Sequence, residues 1–139
     1  MSFSDKEIAY LESQRLGRLA TIGPDGAPHN VPVGFRYNAT LGTLDIGGHA
    51  LGKTRKFRDV QRELRVAFIV DDLASIQPWV VRGIEIRGTA EAIGDGGQGL
   101  GPGFGAEMIR ITPTRIVAWG IDGSSFGANS RNVGAKNAV

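Results

Sequence analysis

The chain has 139 residues, with 21 Gly, 6 Pro, no Cys, 41% hydrophobic and 22% charged residues, and a formal charge of +2. That length makes one domain able to bury roughly two-thirds of its unfolded surface, and the apolar share excludes wholesale disorder. The lack of Cys excludes disulfides, thiolate zinc sites and cysteine nucleophiles.

Ser4-Asp5-Lys6-Glu7 is a capping box, with Phe3 and Ile8 spaced for a hydrophobic staple. It predicts an amphipathic helix from about Asp5 to Gln14, with Ile8, Tyr10 and Leu11 facing inward and Gly17 ending it. Arg18 to Ile22 reads as a strand, and Gly23-Pro24-Asp25-Gly26 as a turn. Pro28 to Tyr37 is the returning strand, which Pro32 confines to an edge or a bulge. A turn over Asn38 to Gly42 leads into Thr43 to Ile46. Thr54 to Arg62 is the second helix, and Arg65 to Val70 is apolar enough for a central strand. Val80 to Ala92 alternates, with Ile84, Ile86 and Ala90 on one face and Glu85 and Arg87 pairing on the other. Met108 to Ile111 and Arg115 to Trp119 complete the list. Gly94 to Gly105 is glycine-dense, and residues 127–139 read as a weakly structured tail behind a single domain over 1–126.

Six or seven strands joined mostly by tight turns must pair antiparallel, because parallel neighbours need a crossover of a dozen or more residues. The expected fold is therefore mainly β, a small barrel with two short peripheral helices. No apolar run reaches the roughly 18–20 residues that span a bilayer. The first residues lack the basic start and apolar stretch of a signal peptide, so a cytoplasmic location with no membrane partner is expected.

Glycine, at 21 of 139 residues, is about twice its usual share of roughly 7%. Low complexity, phosphate-cradling loops and a turn-rich β fold each account for such an excess. Gly47-Gly48-His49-Ala50-Leu51-Gly52-Lys53-Thr54 matches the P-loop pattern G-x-x-x-x-G-K-[ST] between a strand and a helix. A P-loop domain needs a parallel sheet covered by helices on both faces, and this chain has too few helices. The underlying physics survives: helix-start N–H groups are unpaired and partly positive, and Lys53, Thr54, Arg55 and Lys56 add charge and a hydroxyl donor. A basic cluster at a helix N-terminus opposes the dipole, which an anion there relieves. Lys53, Arg55, Lys56 and Arg58 fall within six residues, while cations exceed anions by only two over the whole chain. A local cluster of that kind suits a small anion rather than nucleic acid.

Gly94-Asp95-Gly96-Gly97-Gln98-Gly99 matches G-x-G-x-x-G, but no helix can follow it, so the match reads as loop composition. His29 and His49 are twenty residues apart with no carboxylate pattern beside them, so no metal site is expected. Asp71-Asp72 reads as a strand end. Trp79, behind Pro78 in a polar loop, exposes more apolar surface than such a place warrants unless something covers it.

Gly17 to His29 resembles the opening hairpin of the pyridoxamine-phosphate-oxidase-like split β-barrel (FMN-binding-like) superfamily. Lys53-Thr54-Arg55-Lys56 resembles its phosphate-gripping segment, and Arg82 to Ala90 the strand beyond it. With Pro78-Trp79 and Arg115 to Gly120, the likeness is greatest to the deazaflavin-dependent branch. The resemblance implies a cytoplasmic homodimer with coenzyme F420, or alternatively FMN, in a groove between subunits. By that analogy Lys53, Thr54, Arg55 and Lys56 hold the phosphate. Pro28, His29, Val31 and Val33 line the tricyclic ring, Gly47 and Gly48 admit close backbone approach, and Trp79 covers the ring edge. The implied activity is hydride transfer from reduced deazaflavin to an α,β-unsaturated carbonyl compound, with a proton from water or from His29. The alternatives are an FMN oxidase or reductase of the same barrel and a non-catalytic carrier.

Overall fold

The computed structural model describes residues 2–121 and 128–134. Helix α1 spans Asp5–Ser13 and opens with the reciprocal capping box: the Glu7 amide donates to Ser4 Oγ, and the Ser4 amide to Glu7 Oε1. Tyr10 and Leu11 are buried and Ile8 packs on the core. The helix stops at Ser13, with an extended Gln14 as its C-cap. Gly17 has another task, inside strand β1 (Leu16–Ile22). A Cβ on Gly17 would stand 2.2 Å from the Phe68 ring, so only glycine lets that ring lie across the strand.

Eight strands follow among the described residues: β1, β2 (Pro28–Gly34), β3 (Arg36–Asn38), β4 (Thr43–Ile46), β5 (Arg65–Ser75), β6 (Val80–Ile93), β7 (Met108–Trp119) and β8 (Ala128–Asn132). Their order is β2-β1-β5-β6-β7-β4-β3, with β8 on β7, and every pairing is antiparallel. The two ends of this order, β2 and β3, are separated in sequence by Phe35 alone. The sheet therefore curls until its edges meet, and the chain crosses the seam at Phe35. Pro32 lies on the edge strand β2, where its missing N–H costs no ladder bond.

Further expectations change. Met108 to Ile111 and Arg115 to Trp119 are one strand, which continues through Thr112, Pro113 and Thr114 because a bulge opposite Arg87 and Gly88 absorbs the irregularity. Residues 128–132, assigned to a weakly structured tail, form β8, and Val133 behind it is buried. Arg131 of β8 forks the buried Glu7 carboxylate and donates to the Ser2 carbonyl, which fastens the end of the chain to its start. That long-range contact has no local signature. Asp71 and Asp72 lie within β5 and pair with Arg18 and Arg82. Glu85 and Arg87 pair as expected.

Leu19, Phe68, Ile84, Ile86, Ile111 and Ile116 fill the barrel interior and are fully buried. Helix α2 (Arg55–Arg62) lies against β1 and β6 and buries Phe57, Asp59 and Val60. No helix of the described residues is long and apolar enough to cross a membrane.

Candidate functional site

Thr54 is the N-cap of α2. Its hydroxyl accepts from the Phe57 amide at 3.4 Å and donates to the Leu51 carbonyl at 2.6 Å. The hydroxyl proton expected for a ligand is therefore spent on the preceding 3-10 turn, Leu51–Lys53. That turn leads the chain into the helix so that Arg55, Lys56 and Arg58 face β2.

Between them lies a groove of about 610 Å³ lined by Thr21, Pro28, His29, Asn30, Val31, Arg55, Lys56 and Arg58. Among the described residues none of these three cations has a carboxylate within 4.0 Å, although eight other ion pairs form. Arg58 donates to the Lys53 carbonyl at 2.9 Å. Burial pushes the Lys56 ammonium below its ordinary value, with no neighbouring anion to offset the desolvation. A partly desolvated Lys56 between the exposed Arg55 and Arg58, none of them paired with a carboxylate, is arranged for an external anion.

The groove's wall is fixed by a network the sequence did not announce. His29 Nδ1 meets Asp59 Oδ2 at 2.7 Å, the Thr21 hydroxyl donates to the same oxygen at 2.7 Å, and Arg62 reaches Oδ1 at 3.2 Å. Asp59 is 1% exposed. Burial alone would raise its carboxyl, but the hydrogen bonds from His29, Thr21 and Arg62 outweigh it and hold the group below the usual carboxylate range. An ionised Asp59 only accepts, so His29 carries its proton on Nδ1 and leaves Nε2 for other chemistry. The available signal was an acid on the buried face of a basic helix, beside Phe57 and Val60. Such a carboxylate has to find donors.

Of the residues singled out in the sequence, Pro28, His29, Val31, Arg55 and Lys56 line this groove. Val33 points into the core instead. Lys53 is exposed on the 3-10 turn, outside the lining. Gly47 and Gly48 pack beneath the glycine-dense segment: a Cβ on Gly47 would lie 2.7 Å from the Phe104 ring, and the Gly105 amide donates to the Gly48 carbonyl. Trp79 is 67% exposed just before β6, beyond the far end of β5. Eight residues of β5, roughly 25 Å, separate Ala67 at the groove end from Ser75. Thr21, Asn30, Arg58, Asp59 and Arg62 complete the site. Past Thr21 and Pro28 it opens into a shallow, mostly apolar trough over Ala20, Ile22, Val66 and Ala67. No group of three or more His, Asp or Glu among the described residues is placed to hold a metal.

The family described as Pyridoxamine 5'-phosphate oxidase matches residues 3–119. The chain belongs to that family. A relative from Streptomyces rimosus, named 5a,11a-dehydrotetracycline/5a,11a-dehydrooxytetracycline reductase, is 49% identical over 138 residues, or 99% of this chain and 97% of the relative. Its likeness supports an oxidoreductase. Among solved structures, a heme binding protein from Mycobacterium smegmatis superposes with a TM-score of 0.70 at 16% identity, over 95% of this chain and 59% of that one. A pyridoxamine 5'-phosphate oxidase-related, FMN binding protein from Nostoc punctiforme gives 0.63 at 12% identity, over 96% and 99%. These two share the split barrel, and their different ligands leave the choice of cofactor to the site itself.

Proposed function

We propose that this pyridoxamine 5'-phosphate oxidase family member is a reductase that uses coenzyme F420, a deazaflavin, to reduce an unsaturated carbonyl compound, working as a homodimer. The observation that carries the reading is the groove of unpaired Arg55, Lys56 and Arg58. It fits a phosphorylated cofactor, since a half-buried cation with no carboxylate partner gains from a phosphate what it loses in hydration. The Streptomyces relative's name, which denotes reduction of a dehydrotetracycline, supports an enone as acceptor.

Arg55 has the planar fork that grips phosphate oxygens in pairs, and Lys56 and Arg58 add charge at α2's first turns. Pro28 and Val31 give the groove an apolar wall that excludes water. When bound, the reduced deazaflavin supplies hydride. The proton for the product enolate comes from water or from His29, whose ring is held in place through Nδ1 by Asp59. Leu73, Ile76 and Trp79 lie exposed around the β5–β6 connection, an apolar group that suits burial by a partner subunit.

Titration of the pure protein with deazaflavin and with FMN tests the cofactor. Micromolar binding of the deazaflavin and weaker binding of FMN are expected, and the reverse order favours the FMN alternative. Replacing Arg55 and Lys56 together by Ala should cost about 2–5 kcal/mol of cofactor affinity, from two charge-assisted contacts. Unchanged affinity refutes the phosphate site. Turnover of reduced cofactor with a panel of enones separates an enzyme from a carrier, and light scattering of the full chain reads the subunit number.

A further inference from the structure

Lys56 differs from the other described lysines. Lys6 and Lys53 are exposed, the first beside Asp5 on α1 and the second on the 3-10 turn. Lys56 is partly buried and lines the cationic groove together with the apolar side chains of Pro28 and Val31. Among the described residues its ammonium has no carboxylate within 4.0 Å, so no anion there holds the proton on it. The one acid on the buried face of the same helix, Asp59, is taken up by Thr21, His29 and Arg62. Desolvation pushes the Lys56 ammonium below its ordinary value and leaves more of it as neutral amine than an exposed lysine has. A neutral amine is a nucleophile, and desolvation beside other cations is one way a protein activates a lysine.

The groove also holds two guanidiniums able to seat a phosphate. Arg55 and Arg58 lie three residues apart on α2, which makes them neighbours on the helix surface. Arg58 is steadied by its 2.9 Å donation to the Lys53 carbonyl, and the fork has further N–H groups to give. Both line the groove with Lys56, so a phosphate gripped by them keeps its substituent in the space that the Lys56 amine shares.

We propose that Lys56 is a modification site for acyl phosphates, with Arg55 and Arg58 binding the phosphate and the Lys56 amine taking the acyl group. The nitrogen attacks the carbonyl carbon and the bond from that carbon to the phosphate oxygen breaks. Inorganic phosphate leaves with the proton that the nitrogen gives up. The product is an uncharged amide, which removes one of the three groove cations and sets acylation against the binding of any phosphorylated ligand. The step needs the groove and not a particular cofactor.

The test is incubation of the full chain with acetyl phosphate, with acetylation at each lysine followed over time by mass spectrometry. Lys56 should react at least about ten times faster than Lys6, because clustered cations concentrate an anion by that order. Inorganic phosphate in large excess should slow Lys56 and leave Lys6 unchanged. Arg55→Gln with Arg58→Gln, at two exposed positions, should lower the Lys56 rate at least about fivefold, with a thermal melt to confirm folding. p-Nitrophenyl acetate, an acyl donor without a phosphate, should lose most of the preference for Lys56. A Lys56 rate no greater than that of Lys6, or a Gln variant that reacts as fast as wild type, overturns the proposal. Acetylation directed to Lys56 in a protein that binds no deazaflavin upholds the modification and refutes the cofactor reading above.

Discussion

Replacing Asp59 by Asn removes the negative charge that ties β1, β2 and α2 together at the cationic groove. The side chain is buried and accepts from Thr21, His29 and Arg62, two of these contacts at 2.7 Å. Asn is close in shape, so cavity terms are small and the loss is electrostatic. One acceptor oxygen becomes an NH₂ that faces donors whichever way the amide turns. Hydrogen bonds to a charged group contribute about 1.5–3 kcal/mol each, but the three share one carboxylate and do not add, so the net cost is about 2–4 kcal/mol. For a chain of this size that is roughly 6–15 °C in Tm. Urea melts at fixed protein concentration measure it. The pH dependence gives an independent check on the cause. Asp59's carboxyl is depressed in the folded state, so its stabilisation is complete above the unfolded value of about 3.9 and is lost as pH falls through the folded one. The stability gap between wild type and the Asn variant should therefore be flat near neutral pH and shrink below about pH 4. A gap under about 0.5 kcal/mol, or one that persists unchanged into acid, refutes the network as described.

Arg131→Met should cost about 3–5 kcal/mol, because Glu7 would be left buried and unpaired at the join between chain start and β8; chemical denaturation reads it. Gly88→Ala should cost roughly 2–3 kcal/mol, since the new Cβ would lie 2.1 Å from the Thr112 carbonyl oxygen at the β6–β7 bulge; a Tm within about 2 °C of wild type would contradict that packing. Thr54→Ala should lose about 1 kcal/mol of stability from the α2 cap, whereas Thr54→Ser should lose little, as seen in paired melts.

The parts of the fold legible in the sequence were those whose causes are local. The capping box around Ser4 and Glu7, the turn at Gly23 to Gly26, the alternation of β6 and the Thr54 start of α2 each rest on residues within a few positions of one another. Illegible features depended on partners far along the chain. Glu7 reads as half of a capping box, and only the fold shows that Arg131, 124 residues away, also forks it. His29 looks unpartnered until α2 delivers Asp59 from 30 residues on. The break at Thr112 to Thr114 suggests two strands, because the bulge that makes β7 continuous depends on Gly88 of the neighbouring strand. Within the candidate site, the basic cluster was plain and its geometry was not. The turn before α2 leaves Lys53 outside the groove and points Arg58 along it, and the burial of Val33 follows from the register of β2 against β1.

The run from Gly47 to Thr54 shows why a pattern match and an architecture carry different information. In this chain Gly47 is close-packed under Phe104 and Gly52 against Glu107, the Thr54 hydroxyl is consumed by Leu51 and Phe57, and Lys53 lies outside the groove lining. None of these fixed positions of the pattern is free to cradle phosphates as the pattern implies. The anion site that does form uses the next residues, Arg55, Lys56 and Arg58, which the pattern does not specify. What the two arrangements share is the helix start: an N-terminus with unpaired amides, preceded by a small-residue loop that can turn sharply into it. A strand-loop-helix passage of this kind recurs in unrelated folds because anion binding at a helix end requires it. The surrounding sheet, antiparallel and curled here, decides which groove that end faces and therefore which ligand the site can hold.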